Sequence, residues 1–96
     1  MSAYVIYEAE IIDPGRYEDY RAKTAASLAA AGARYIVRGG DMEVLDGEPP
    51  AGRIVIAEFP TMESALAWYR SEEYTQIRTI RDGAARARIY VVDGIQ

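Results

Sequence analysis

The sequence predicts an α+β domain with the element order βαββαβ, a single antiparallel sheet of four strands carrying its helices on one face. Three observations lead there. Runs of aromatic and β-branched residues alternate with two stretches of helical periodicity, each helical stretch opens on a capping residue, and a chain of 96 residues has room for one core. No low-complexity tract interrupts the pattern, and half of the residues are hydrophobic, the balance of a chain that folds.

Residues 3–12, AYVIYEAEII, are the first strand, and the Asp13-Pro14 pair that follows supplies a helix N-cap and a first-turn proline. The first helix runs to about Ala31, stops at Gly32, and gathers Tyr17, Tyr20, Thr24, Leu28 and Ala31 on one face. Residues 33–45 form the second strand, DGEPPAG the loop after it, and RIVIAEF from Arg53 the third strand, closed by Pro60. Thr61 caps a second helix bearing Ala65, Leu66, Trp68 and Tyr69. Ser71, ahead of Glu72 and Glu73, is a further cap that prolongs the helical region to about Ile80. ARIYVV, residues 87–92, is the last strand. Two right-handed units joined in this order make the ferredoxin-like sandwich, with residues 1–96 as a single domain.

That architecture leaves one sheet face without helices, yet the strands are apolar on both faces. Tyr4 and Ile6 oppose Val5 and Tyr7, Ile54 and Ile56 oppose Val55 and Ala57, and Ile89 and Val91 oppose Tyr90 and Val92. A sheet with one wet face alternates apolar with polar. A second copy on the bare face resolves the conflict, so the sequence predicts an obligate homodimer packed sheet against sheet.

Composition narrows the function. A net charge of −4, with the five arginines between Arg70 and Arg88 diluted by Glu72, Glu73 and Asp82, argues against nucleic acid as a partner. The chain has no cysteine and no histidine, which removes thiol nucleophiles, Ser-His triads, histidine-held haem and most zinc sites. No carboxylate array or Asp/Asn-rich loop suits magnesium or calcium, so neither a metal nor a cofactor is expected. Without a long apolar run or a basic and then apolar start, the expectation is a cytoplasmic protein with no membrane partner.

The segment YIVRGGDMEV, Tyr35 to Val44, holds the main candidate site. For Tyr35 and Val37 to share a face with Met42 and Val44, one extra residue must lie between them, which predicts a β-bulge at Gly39-Gly40 that re-aims Arg38. The other reading is a two-residue Gly-Gly hairpin turn with Arg38 on the surface. Glu58, a carboxylate in an apolar strand, needs a cationic partner, Arg38 or Arg81. As an ion pair it is structural; lining a cavity, Glu58 is a proton acceptor and the arginine an anion clamp. Eight tyrosines against one phenylalanine point to hydroxyls that meet water or ligand, or to rings that bury their bodies and wet their tips.

The chain resembles the domain of unknown function 1330 family, within the dimeric α+β barrel superfamily of ferredoxin-like proteins. The resemblance spans nearly the whole chain and rests on DPGRYEDY, YIVRGGDMEVLDG, IAEFPTMESALAWYRSEEY and IRDGAARARIYVVDG. It implies small homodimers whose facing sheets form a barrel, and it supplies no established reaction. Carried over position by position, it makes Tyr20, Arg38, Gly39, Glu58, Tyr69, Ser71, Tyr74 and Arg81 ligand-binding candidates. SEEY stands where relatives often have Ser-Pro-Glu-Tyr, which puts the placement of the loop before Tyr74 in question. Cousins in the superfamily include cofactor-free monooxygenases, lactone isomerases, haem enzymes and amino-acid sensors, and the lack of histidine removes the haem branch.

The leading expectation is a dimer that binds a small anionic or aromatic metabolite, in catalytic form a cofactor-independent isomerase or monooxygenase. The alternatives are a non-catalytic sensor or accessory subunit and a purely structural dimer. A perturbed titratable group inside an enclosed cavity would mark a catalyst, and no cavity at all would mark the structural dimer.

Overall fold

The computed structural model describes residues 1–95. Strand β1 (Ala3–Ile11) leads into helix α1 (Pro14–Ala30); β2 (Arg34–Arg38) and β3 (Arg53–Phe59) follow; α2 (Met62–Arg70) and α3 (Glu72–Arg81) precede β4 (Ala85–Asp93). The strands lie in the order β2-β3-β1-β4, every neighbouring pair antiparallel. This is the expected ferredoxin-like α+β sandwich. No helix among the described residues is long and apolar enough to cross a membrane.

Local chemistry sets the element ends. The Asp13 carboxylate accepts the Arg16 N–H at 3.2 Å, and Pro14 opens α1 where its missing N–H costs nothing. At the far end Gly32 takes φ +80° while the Ala33 N–H returns to the Leu28 carbonyl at 3.0 Å, closing the last turn. Thr61 and Ser64 exchange backbone N–H bonds in a capping box. Ser71 leaves helical geometry at ψ 152°, donates its hydroxyl to the Trp68 carbonyl at 2.7 Å and accepts the Tyr74 N–H at 3.1 Å, so it ends α2 and caps α3 at once. Glu72 fills the first position of α3, a place proline also tolerates, and α3 therefore begins normally despite the SEEY departure.

The core lies between helices and sheet. Val5, Tyr7 and Ala9 of β1 and Ala57 and Phe59 of β3 meet Tyr17, Tyr20 and Leu28 of α1, Ala65 and Trp68 of α2, and Tyr74 of α3. Tyr74 and Phe59 are fully buried. The opposite face carries Tyr4, Ile6 and Glu8 of β1, paired with Glu58, Ile56 and Ile54 of β3 and with Val92, Tyr90 and Arg88 of β4. Helices do not cover it, and Tyr90, Val92, Ile36 and Val37 remain exposed there and at the β2 edge.

Strand β2 departs from expectation in two ways. It ends at Arg38 instead of residue 45, and its register slips between Tyr35 and Val37 instead of at Gly39-Gly40. The first follows from the partner: β3 begins at Arg53, so residues past Gly40 have no strand to pair with, and Met42, Val44 and Leu45 are exposed. The second has the predicted consequence from a different residue. Tyr35 pairs with Ala57 and Arg38 with Val55, both on the helix side, whereas simple alternation would send Arg38 to the other face. Gly39 is no hairpin tip; at φ +69° it donates its N–H to the Ile54 carbonyl at 2.8 Å and leads the chain out of the strand.

Candidate functional site

Two tyrosines one helical turn apart on α1, Tyr17 and Tyr20, face Tyr7 of β1 and Tyr74 of α3 across the core. Their rings, with Tyr35 and Trp68, wall a cavity of about 40 Å³, bordered by Val5, Val55, Ala57, Leu28 and Ile89. That is room for a few waters at about 10 to 15 Å³ each and well below the roughly 300 to 1,000 Å³ of small-molecule sites, so a ligand must part these side chains to enter. The Tyr20 and Tyr74 hydroxyls share a hydrogen bond of 2.6 Å, and the Tyr17 hydroxyl donates to Tyr7 at 3.4 Å.

The cavity's charges are all positive. Arg21 and Arg53 belong to the wall, and no carboxylate does. The Arg53 Nε–H is buried and finds no hydrogen-bond partner among the described residues, and neither Arg53 nor Arg81 joins an ion pair there. Arg81 stands behind the wall, its guanidinium carbon 5.6 Å from the ring centres of both Tyr7 and Tyr20, with Nη1 buried and unpartnered. A buried N–H of a cation without an acceptor is costly, so the interior is short of negative charge.

Burial, the largest influence on each, pushes the Tyr7, Tyr17, Tyr35 and Tyr74 hydroxyls above the ordinary phenol range. Arg81 pulls Tyr7, Tyr17 and Tyr74 the other way and does not prevail. These phenols are hydrogen-bond donors at neutral pH and not bases.

The eight sequence candidates separate into groups. Tyr20 and Tyr74 line the cavity, and Arg81 backs them. Arg38 lies at the β2 side with its guanidinium 4.4 Å above the Tyr35 ring, and Gly39 lies under the Arg53 guanidinium, so close that a Cβ would stand 2.6 Å from Nη2. Tyr69 accepts a hydrogen bond from Arg78 and faces a neighbouring space beyond Trp68. Ser71 is the helix cap described above.

Glu58 is a correction. It projects from the opposite face, and its partner is neither Arg38 nor Arg81 but Arg34, the residue across the ladder on β2, at 2.6 Å, with the Tyr4 hydroxyl donating at 3.3 Å. Arg34 stands directly across from Glu58, upstream of the slip, and the bulge carries Arg38 to the helix side, away from that carboxylate. The Arg34 hydrogen bond foremost holds the Glu58 carboxyl below its usual range. Glu8 on the same face is held low by Tyr90 at 2.5 Å and then by Arg88 at 2.6 Å.

Sequence reasoning missed Tyr7, Tyr17, Arg21, Tyr35, Arg53 and Trp68 as wall residues. Arg53 reads as the first residue of a strand, and only the neighbouring Gly39 hints that its side chain needs space. The shared helical face of Tyr17 and Tyr20 was a readable sign.

The fold and this tyrosine-walled, cationic cavity define a small ferredoxin-like α+β domain with an internal space beneath its helices. The chain belongs to the family described as Domain of unknown function (DUF1330), whose model matches residues 2–95. No curated protein matches it. Among solved structures it is similar to a protein of unknown function from Rhodopseudomonas palustris, at 16% identity and TM-score 0.72, covering 99% of this chain and 83% of that one. It is similar as well to SnoaB, a cofactor-independent oxygenase from Streptomyces nogalater, at 12% identity and TM-score 0.72, covering 99% and 94%. A protein from Arabidopsis thaliana matches at 12% identity and TM-score 0.71, covering 100% and 97%. At these identities the likeness is one of fold.

Proposed function

We propose that the chain binds a small anion with a flat, aromatic or unsaturated body in the tyrosine-walled cavity. One observation carries the reading: the wall holds arginine and no carboxylate, and the Arg53 Nε–H is buried without an acceptor. An incoming carboxylate or enolate oxygen satisfies that donor once the Arg53 side chain, which ends freely, turns toward it; the Arg81 charge behind the wall favours the same sign, and the rings take the flat body. Trp68, the only tryptophan, forms part of the wall, so its fluorescence reports occupancy directly. Titration with benzoate is expected to change Trp68 emission at concentrations where benzamide does not. The Arg53→Lys protein, which keeps the charge and loses the planar fork, should bind benzoate about tenfold more weakly. Equal response to acid and amide would refute the reading.

The catalytic form of this reading is a cofactor-independent isomerase or monooxygenase. General-base catalysis works best with a group whose pKa lies near the operating pH, and the cavity offers phenols displaced upward and guanidiniums that never release a proton. Chemistry in this space therefore starts from a ligand that enters already ionised. A sensor requires no such step, and the binding experiment is common to both.

The chain works as a homodimer joined through the bare sheet face. Ile6, Ile54, Ile56 and Val92 lie on that face, and its carboxylates Glu8, Glu10 and Glu58 are already matched by Arg88, Arg86 and Arg34 of the same chain. Two identical faces therefore meet without net repulsion between them.

A further inference from the structure

Trp68 is a partition between two spaces. Its indole belongs to the wall of the tyrosine-lined cavity and to that of a second, roomier space of about 170 Å³ beneath α2 and β4. Val5 and Ile89 border both. The second space is otherwise bounded by Ala65, Leu66, Val91 and the tyrosines 69 and 90, with no charged side chain in its wall. The indole is held by one hydrogen bond, Nε1–H to the Ser27 Oγ at 3.0 Å, and by the Tyr74 ring, whose centre lies 4.2 Å away.

The geometry points to a two-chamber ligand site in which Trp68 sets ligand length: the anionic head lies by Arg53, the ring among the tyrosines, and an apolar extension reaches toward the chamber past the indole. The ligand class is an amphipathic acid, a carboxylate or enolate on an aromatic body with an apolar arm. This rests on the anion-binding reading given above. Chemistry divides the chambers: the wall of one includes Arg21, Arg53 and four clustered tyrosines, whereas the other is bounded by aliphatic groups with Tyr69 and Tyr90 and holds no charged side chain. An acid whose arm exceeds the first chamber must displace the indole, giving up the Ser27 bond and the Tyr74 stacking, whereas a shorter acid leaves both intact.

Calorimetric titration with benzoate, phenylacetate, 3-phenylpropionate and 5-phenylpentanoate tests this on the wild-type chain and on the Trp68→Phe and Trp68→Ala proteins. The wild type is expected to favour the shorter acids. The ratio of dissociation constants, longest acid to benzoate, should fall about threefold in Trp68→Phe and about tenfold or more in Trp68→Ala. If circular dichroism finds Trp68→Ala unfolded, the Trp68→Phe ratio decides alone. An unchanged ratio, or one equal loss for every acid, means that the indole only fills the core and overturns the inference. A wild type that binds none of the acids removes the anion-binding reading itself, a failure the wild-type titration exposes separately.

Discussion

Replacing Gly39 by alanine separates the cost of a backbone conformation from the cost of a disturbed site. Gly39 sits at φ +69°, a region where an L-residue costs about 1 to 2 kcal/mol. The added Cβ would also stand 2.6 Å from Nη2, 2.8 Å from Cζ and 3.0 Å from Nε of Arg53. Those atoms end a flexible side chain, so the guanidinium swings and the backbone stays. Gly47 provides the control, since it has φ +79° and nothing within 4 Å of a built Cβ. In urea unfolding, Gly39→Ala and Gly47→Ala should each lose about 1 to 2 kcal/mol. Only Gly39→Ala should also lose benzoate affinity, by about tenfold or ~1.4 kcal/mol, because only there is the Arg53 donor displaced. Equal affinities in the two proteins would refute the reasoning: Arg53 would then not be the ligand's anchor, or Gly39 not the floor that positions it.

Three further outcomes are expected. Glu8 and Glu58 have depressed carboxyl pKa values, so their stabilisation is present above about pH 4 and lost as pH falls through the folded-state values; urea unfolding between acid and neutral pH should show that loss, with a shallower slope in Glu58→Gln. In double-mutant cycles Glu58→Gln should couple with Arg34→Ala and be additive with Arg38→Ala; the reverse would restore the Arg38 pairing. Tyr7, Tyr17 and Tyr74 are raised, so the unfolded chain loses phenolic protons first and stability falls as pH rises above about 10; tyrosinate absorbance should show these three ionising only on unfolding, and their ionisation in the folded chain would contradict the buried hydroxyl cluster.

Most of the fold was legible because it is written in local chemistry. Asp13-Pro14, Thr61 and Ser71 cap the helices where their side chains and φ preferences allow nothing better, and the period of Tyr17, Tyr20, Thr24 and Leu28 states which face of α1 is inward. The length of β2 was illegible for the opposite reason. Met42 and Val44 alternate like strand residues, but a strand needs a partner, and where β3 begins is a tertiary fact. The position of the bulge was hidden as well: parity shows that one residue is extra, and glycine is only one of the residues that tolerate being it. The slip falls in the Tyr35–Val37 stretch, where no glycine announces it. The site inherits that ambiguity, since a one-residue slip decides whether Arg38 lies on the helix side or on the face that carries Glu58.

The exposed apolar arm after Gly39 bears on the same question as the bare sheet face. Leu45 is 91% exposed, and Met42 and Val44 about half, in a segment that β3 of its own chain cannot pair. Within one copy this arrangement only costs, because apolar side chains and free backbone donors both face water. A second copy packed on the face that carries Ile6, Ile54 and Ile56, as proposed above, would lower the cost of that face, and would lower the other cost too if it met the arm. A charge at the centre of the face tests this directly. Ile56→Glu buries an unpaired carboxylate between two sheets in the dimer but leaves it wet in a monomer. Sedimentation should find the wild type dimeric at micromolar concentration and Ile56→Glu monomeric, with a melting temperature that rises with concentration only in the wild type. A wild-type monomer holding its full stability on dilution would show that the bare face and the arm tolerate water, and that the two-sided apolar strands have another cause.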